Sequence, residues 1–180
     1  MLHKSTLRSF LNAVSRFNTG LGSASGLATM LMMMIIVPDV ILRATISFTI
    51  PLATEIGVLL LICKIFLGMP GAQASRANFH VSVLTELLGE RWRKALRLIT
   101  TLISIGIIGL LAWLTTQEAV YATGIGETSY GIYPFPIWPE RIIVAIGFVL
   151  LTIQLIADVI RTMTGLPDDI APEGSGIGPE

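Results

Sequence analysis

Four stretches of this chain carry almost no charge, and each is long enough to cross a lipid bilayer, which leaves few folds open to it. A helix rises 1.5 Å per residue and needs ~20 mainly apolar residues to traverse a hydrocarbon core of ~30 Å. No charged residue occurs between Arg16 and Asp39, and the run from Leu27 to Val37 is apolar except for Thr29. Leu98 to Gln117 lies uncharged between Arg97 and Glu118, and Ile142 to Ala157 between Arg141 and Asp158. The remaining stretch, residues 52–70, holds Glu55 near one end and Lys64 well inside. A charge at a helix centre costs ~2.5–3.5 kcal/mol, a load that the flanking runs Ile56 to Cys63 and Ile65 to Met69 can carry.

With 53% hydrophobic and 13% charged residues, against about 25% charged in a soluble domain, the chain reads as an all-α membrane protein. Four transmembrane helices are expected over about 18–38, 52–70, 97–118 and 141–162, with residues 1–164 as one transmembrane domain. Ser23-Ala24-Ser25 is a small-residue stretch, but the apolar run follows it instead of preceding it, so signal cleavage is not expected.

Lys and Arg fix the expected orientation. Lys4, Arg8 and Arg16 precede the first span, and Arg76, Arg91, Arg93, Lys94 and Arg97 lie between the second and third, whereas the other two loops offer only Arg43 and Arg141. Positive residues stay inside, so both termini are expected in the cytoplasm. On that side Leu7, Phe10, Leu11, Val14 and Phe17 recur at helical spacing, as do Val81, Leu84, Leu88, Trp92 and Ala95. They predict interfacial amphipathic helices over about 4–17 and 79–95, the first having a frayed start as its alternative. Arg8, Arg16, Arg91, Trp92, Arg93, Lys94 and Arg97 would then meet the membrane surface. Pro134, Pro136 and Pro139 make the stretch from Gly124 to Glu140 an ordered external loop. The Gly-, Pro- and acid-rich segment 165–180 reads as a disordered cytoplasmic tail.

The search for chemistry is nearly empty. A net charge of zero gives no basic field for nucleic acid. Cys63 is the single cysteine, which excludes an internal disulfide and a paired-cysteine redox site. No phosphate-cradling P-loop, zinc-protease motif or dinucleotide fingerprint occurs, and His3 and His80 fall outside the expected spans, so no catalytic residue, metal or cofactor is assigned.

What remains is a set of charges that are costly in a membrane. Asp39 and Arg43, four apart, can pair on one helix face, and Glu55 opens the next span on the same side. They read either as a polar lock that also docks an external partner or as an ordinary interfacial ion pair. Lys64 sits on the face opposite Glu55 and ~13 Å from it along the axis. It either meets a group of another helix or subunit or snorkels to an interface. Tyr130, Tyr133, Phe135 and Trp138 form either an aromatic belt or a recognition surface.

Asp39-Val40-Ile41-Leu42-Arg43 closing one span, Glu55 opening the next, Gly71-Ala72 followed by Arg76 and His80-Val81, and Ile137-Trp138-Pro139 before Gly147 together resemble the small membrane subunit, DctQ-type, of tripartite ATP-independent periplasmic (TRAP) transporters. The likeness runs over nearly the whole chain, and it departs at Leu52 and at Cys63 or Lys64, where the family often has tryptophan. The resemblance implies a bacterial inner-membrane secondary transporter in which a periplasmic substrate-binding protein delivers an organic anion to a large sodium-coupled membrane subunit. The small subunit would be a non-enzymatic scaffold within the lipid bilayer, with Asp39, Arg43, Glu55, Lys64 and the 130–138 aromatics meeting its partners. The alternatives are the small subunit of another tripartite uptake system, the membrane anchor of a cofactor-bearing complex, and a self-assembling channel.

Overall fold

Apolar runs of this length become helices in a lipid environment, because a helix lets each backbone group find a partner within its own segment. A computed structural model of the protein describes residues 2–75, 90–129 and 134–164. It contains four long helices: α1 (Leu2–Ile46), α2 (Ala53–Ala74), α3 (Glu90–Ile125) and α4 (Trp138–Thr164). Each holds a stretch long and apolar enough to cross a membrane. Among the described residues no strand occurs, only an isolated antiparallel bridge between Thr128 and Pro136.

The helices form an open row in the order α1, α2, α4, α3 and do not close into a bundle. α1 packs on α2, α2 on α4 and α4 on α3, while α1 touches α4 only briefly. The exposure of each helix follows from this order. In the most apolar window of each, 28% of residues are buried in α4 and 17% in α2, but only 6% in α1 and in α3. Met30, Met34, Ile107 and Leu110 on the flanking helices are more than half exposed, an arrangement that water would not tolerate and lipid does.

One expectation changes at the helix starts, and a second falls largely outside the described residues. Residues 4–17 do not form a separate interfacial helix; they are the first part of α1, which runs unbroken through residue 18 into the span. Within the polar stretch the hydroxyls are satisfied by the preceding turn, Thr19 Oγ1 donating to the Ser15 carbonyl at 2.8 Å and Ser25 Oγ to that of Gly22 at 2.6 Å, so they need no water where the helix enters the span. Of the predicted membrane-facing residues, Leu11 is buried against protein while Phe10 and Phe17 stay exposed. The segment 79–95 lies largely outside the described residues, and its part from Glu90 onward is the opening of α3, which continues past Glu118 to Ile125. At 45 and 36 residues, α1 and α3 are ~67 and ~54 Å long. Both therefore overrun the ~30 Å hydrocarbon core.

Small residues set how closely the row packs. A Cβ on Gly71 would stand 2.6 Å from Gly22 Cα and 2.7 Å from the Asn18 carbonyl oxygen, so α1 and α2 cross backbone to backbone. The α2–α4 crossing uses Gly147, whose missing Cβ would overlap the Phe66 carbonyl oxygen and lie 2.7 Å from Phe66 Cβ. Pro70 lies inside α2 and is buried. Lacking an N–H, it leaves the carbonyl four residues earlier, that of Phe66, without its helical donor. The hydrogen of Gly147 that replaces a Cβ points at that oxygen, a weak Cα–H···O contact of about 0.5–1 kcal/mol. Beside it Phe66 and Phe148 meet edge to face, centroids 5.3 Å apart.

Because the atoms met at Gly71 are backbone, Gly71→Ala is expected to cost about 1–3 kcal/mol by overpacking. Gly106→Ala, with nothing within 4 Å of the added carbon, should be neutral or slightly stabilising. Thermal unfolding of the two purified variants in mild detergent checks this, and equal effects would contradict the backbone crossing.

Candidate functional site

Among the described residues no cluster of metal-ligating side chains occurs, and the informative residues are polar groups held inside or at the edge of apolar helices. They gather in two layers, one at each end of the α1–α2 hairpin.

At the end where α1 turns into α2, Asp39 is 3% exposed and holds two partners. Its Oδ2 pairs with the Arg43 guanidinium one turn on, and its Oδ1 accepts the Ile50 N–H at 2.7 Å. The turn needs that anchor. Ser47 and Leu52 both take left-handed backbone conformations, with φ of 53° and 64°, which side-chain-bearing residues avoid unless the surroundings impose them. Glu55 lies half-buried in the first turn of α2 and, among the described residues, makes no ion pair with Arg43. The expected three-residue lock is thus two side chains and a backbone amide. A groove of about 290 Å³ between the helices is lined by Asp39, Arg43, Met32, Ile36, Gly57 and Leu61, among others.

At the opposite end, where α1 begins and α4 ends, a denser knot joins three helices. Gln154 of α4 is fully buried; its Oε1 accepts from Asn18 Nδ2 at 2.9 Å, and its Nε2 donates to Ser15 Oγ and Asp158 Oδ1, both at 3.2 Å. Gln73 of α2 donates to Asp158 Oδ2 at 2.8 Å. One turn further, Arg161, 5% exposed, donates to the Leu11 carbonyl at 2.7 Å and to Asn12 Oδ1 at 3.2 Å. Asn18 Oδ1 is buried without a hydrogen-bond partner. The sequence reading missed this knot because it tracked charges in mid-span and took Asp158 as a boundary. A signal was present: Gln154, Asp158 and Arg161 are spaced four and three apart, on one face of α4, and Leu11, Ser15 and Asn18 repeat that spacing on α1.

Other expected contact residues are dispersed. Arg8 and Arg16 are exposed on the overlong start of α1, Trp92 is 72% exposed, and Arg91, Arg93, Lys94 and Arg97 fall in the opening turns of α3. Tyr130 and Tyr133 lie outside the described residues. Phe135 is half-buried in a loop closed by its own backbone, its carbonyl accepting the Ser129 N–H at 2.7 Å while Ile137 N–H donates to Glu127 at 2.9 Å. Trp138, 38% exposed, opens α4, and an exposed Arg141–Glu127 pair at 3.3 Å spans the loop. Lys64 stands alone: it is exposed, in the middle of α2, with no hydrogen-bond or ion-pair partner among the described residues.

Membrane hydrogen bonds average about 0.6 kcal/mol each. Gln154→Leu removes three of them and strands the buried Asn18 amide, so a loss of about 2 kcal/mol is expected. Ser15→Ala, which removes one, should cost about 0.5 kcal/mol. Unfolding of the purified variants in detergent measures both, and equal losses would deny Gln154 its central place.

The comparisons with known proteins agree with this architecture. No curated protein and no solved structure matches the chain. The family model of the tripartite ATP-independent periplasmic transporters, DctQ component, matches residues 32–165, from the middle of α1 to the end of α4. That span takes in the Asp39 turn, the Gly147 crossing and the α4 half of the knot, and the chain therefore belongs to the DctQ family, the small component of TRAP transporters.

Proposed function

We propose that this multi-pass membrane protein is the scaffold subunit of its transporter, holding the fixed part of a large sodium-coupled membrane subunit in the bilayer while that subunit moves an organic anion. The observation that carries this reading is the open row. A chain whose flanking helices α1 and α3 are almost wholly exposed along their apolar windows offers a broad side surface for another membrane protein. It also encloses little space of its own. α2 and α4, fixed to each other at Gly147 and Phe66, supply the stiffness that a static support needs.

The two ends would divide the remaining work. The basic starts of α1 and α3 face the cytoplasm in the bacterial inner membrane, where Arg and Lys meet anionic headgroups. The Asp39–Arg43 turn, with Glu55, Phe135 and Trp138, then faces the periplasm and contributes to docking the substrate-binding protein. The exposed half of the Arg43 guanidinium is available for that contact, since its partner Asp39 is buried.

Extraction in mild detergent with an affinity tag on this chain should recover a large polytopic subunit in equal amount. Liposomes holding both should take up organic anion only with a sodium gradient and a soluble binding protein. Recovery of the chain alone, or uptake by the large subunit without it, would contradict the scaffold role.

A further inference from the structure

Lys64 occupies the place in this fold where a cation is hardest to keep. It lies eleven residues from Ala53 and ten from Ala74, so its Cα is ~15 Å or more from either end of α2. A lysine arm reaches only ~6 Å, so snorkelling leaves the ammonium deep in the hydrocarbon. The α1–α2 register gives the same depth independently. Gly22 faces Gly71, Ser25 faces Gly68 and Ile36 faces Gly57, which sets Lys64 level with Thr29, midway between Asn18 of the knot and Asp39 of the turn. Thr29 offers no help through its proton, which its hydroxyl donates to the Ser25 carbonyl.

The surroundings supply no counter-charge. Spaced three residues from Leu61, four from Gly68 and seven from Gly71, Lys64 stands on the α1-facing side of α2, and its exposed side chain emerges from that seam next to a strip of exposed apolar side chains, Val58, Leu61, Ile65 and Met69. Of the described acids in the helices, Asp39, Glu55, Glu140 and Asp158 stand near helix ends and none pairs with Lys64, and Glu118 is on α3, separated from α2 by α4. Lipid headgroups lie at the wrong depth. A bare ammonium in hydrocarbon is unfavourable unless an acceptor is brought to it, and in a membrane such acceptors come from neighbouring helices.

We propose that the mouth of the α1–α2 seam at Lys64, with the apolar strip beside it, seats against a transmembrane helix of the large transport subunit, and that the ammonium pairs there with a carboxylate of that helix. This rests on the scaffold reading above and adds to it which face is covered and by what chemistry. The pair fixes the axial register of the two subunits, since sliding by one helical turn, ~5.4 Å, would leave both charges unpaired.

A hydrophobic carbodiimide, which joins an amine to a carboxylate in contact with it, tests the pairing in the complex purified from native membranes. Peptide mass spectrometry should find Lys64 amide-linked to an Asp or Glu within an apolar helix of the large subunit. Lys64→Met should lose the link and lower recovery of the large subunit by about tenfold, while Lys64→Arg retains recovery. Lys64→Met removes no hydrogen bond or ion pair among the described residues and keeps an unbranched side chain of similar length, and thermal unfolding of the variant in detergent, expected unchanged, separates loss of partner from loss of fold. Absence of the link with unchanged recovery for Lys64→Met, or a link to Glu118 of a second copy, overturns the proposal and leaves the scaffold role standing. Failure of the wild-type chain to bring down any large subunit overturns both.

Discussion

A hydrocarbon core offers no hydrogen bonds, so every polar group that enters it must bring its own partner. The rest of this structure depends on how that requirement is met. On α1 the two polar layers are marked by Asn18 and Asp39, ~31 Å apart by helical rise, close to the thickness of the hydrocarbon itself. Asp39 spends one oxygen on Arg43 and the other on the turn. Gln154 uses both ends of its amide on two helices. Between the layers the α1–α2 contact relies on close packing and small residues, because there is no hydrophobic gain in moving a leucine from lipid to protein. Fastened ends and a smooth middle are the outcome.

That outcome explains why the row stays open. Backbone approaches at Gly71 and Gly147 bring α2 against both α1 and α4, and the knot brings the start of α1 to the end of α4. α3 has no such tie to the knot among the described residues: it packs mainly on α4, where a Cβ added at Gly109 would only just reach Thr152, at 4.0 Å. An apolar groove of about 640 Å³ runs between these two helices, lined by small residues including Ala119, Gly124 and Ala145. The flanks that the row leaves open are apolar faces of the kind that lipid or another membrane protein covers.

Much of the fold was legible because charge and length decide it. Arg16, Asp39, Arg97 and Arg141 bound apolar runs, and each run became a helix long enough to span. The Asp39–Arg43 pair follows from a four-residue spacing within one helix. What escaped was whatever depends on a neighbouring helix. Glu55 opens the helix that follows the Asp39–Arg43 turn yet makes no ion pair with Arg43, whose partner is Asp39. Gln154 is an uncharged residue in an apolar run, and its importance arises only when Asn18, 136 positions earlier, arrives beside it. The length of α1 escaped for another reason: a polar stretch reads as a break, yet here its hydroxyls are satisfied by the preceding turn and the helix runs on through it.

Helix order carries all of this, and cysteine pairs placed in a Cys63→Ser background test it most directly, in native membranes under mild oxidation. Ser25→Cys with Gly68→Cys, and Gly109→Cys with Thr152→Cys, join neighbours in the row and should cross-link within one chain. Gly26→Cys with Gly106→Cys, on the two flanking helices, should not. Efficient linkage between α1 and α3 within a single chain, with little between α3 and α4, would mean a closed bundle and would contradict the open row.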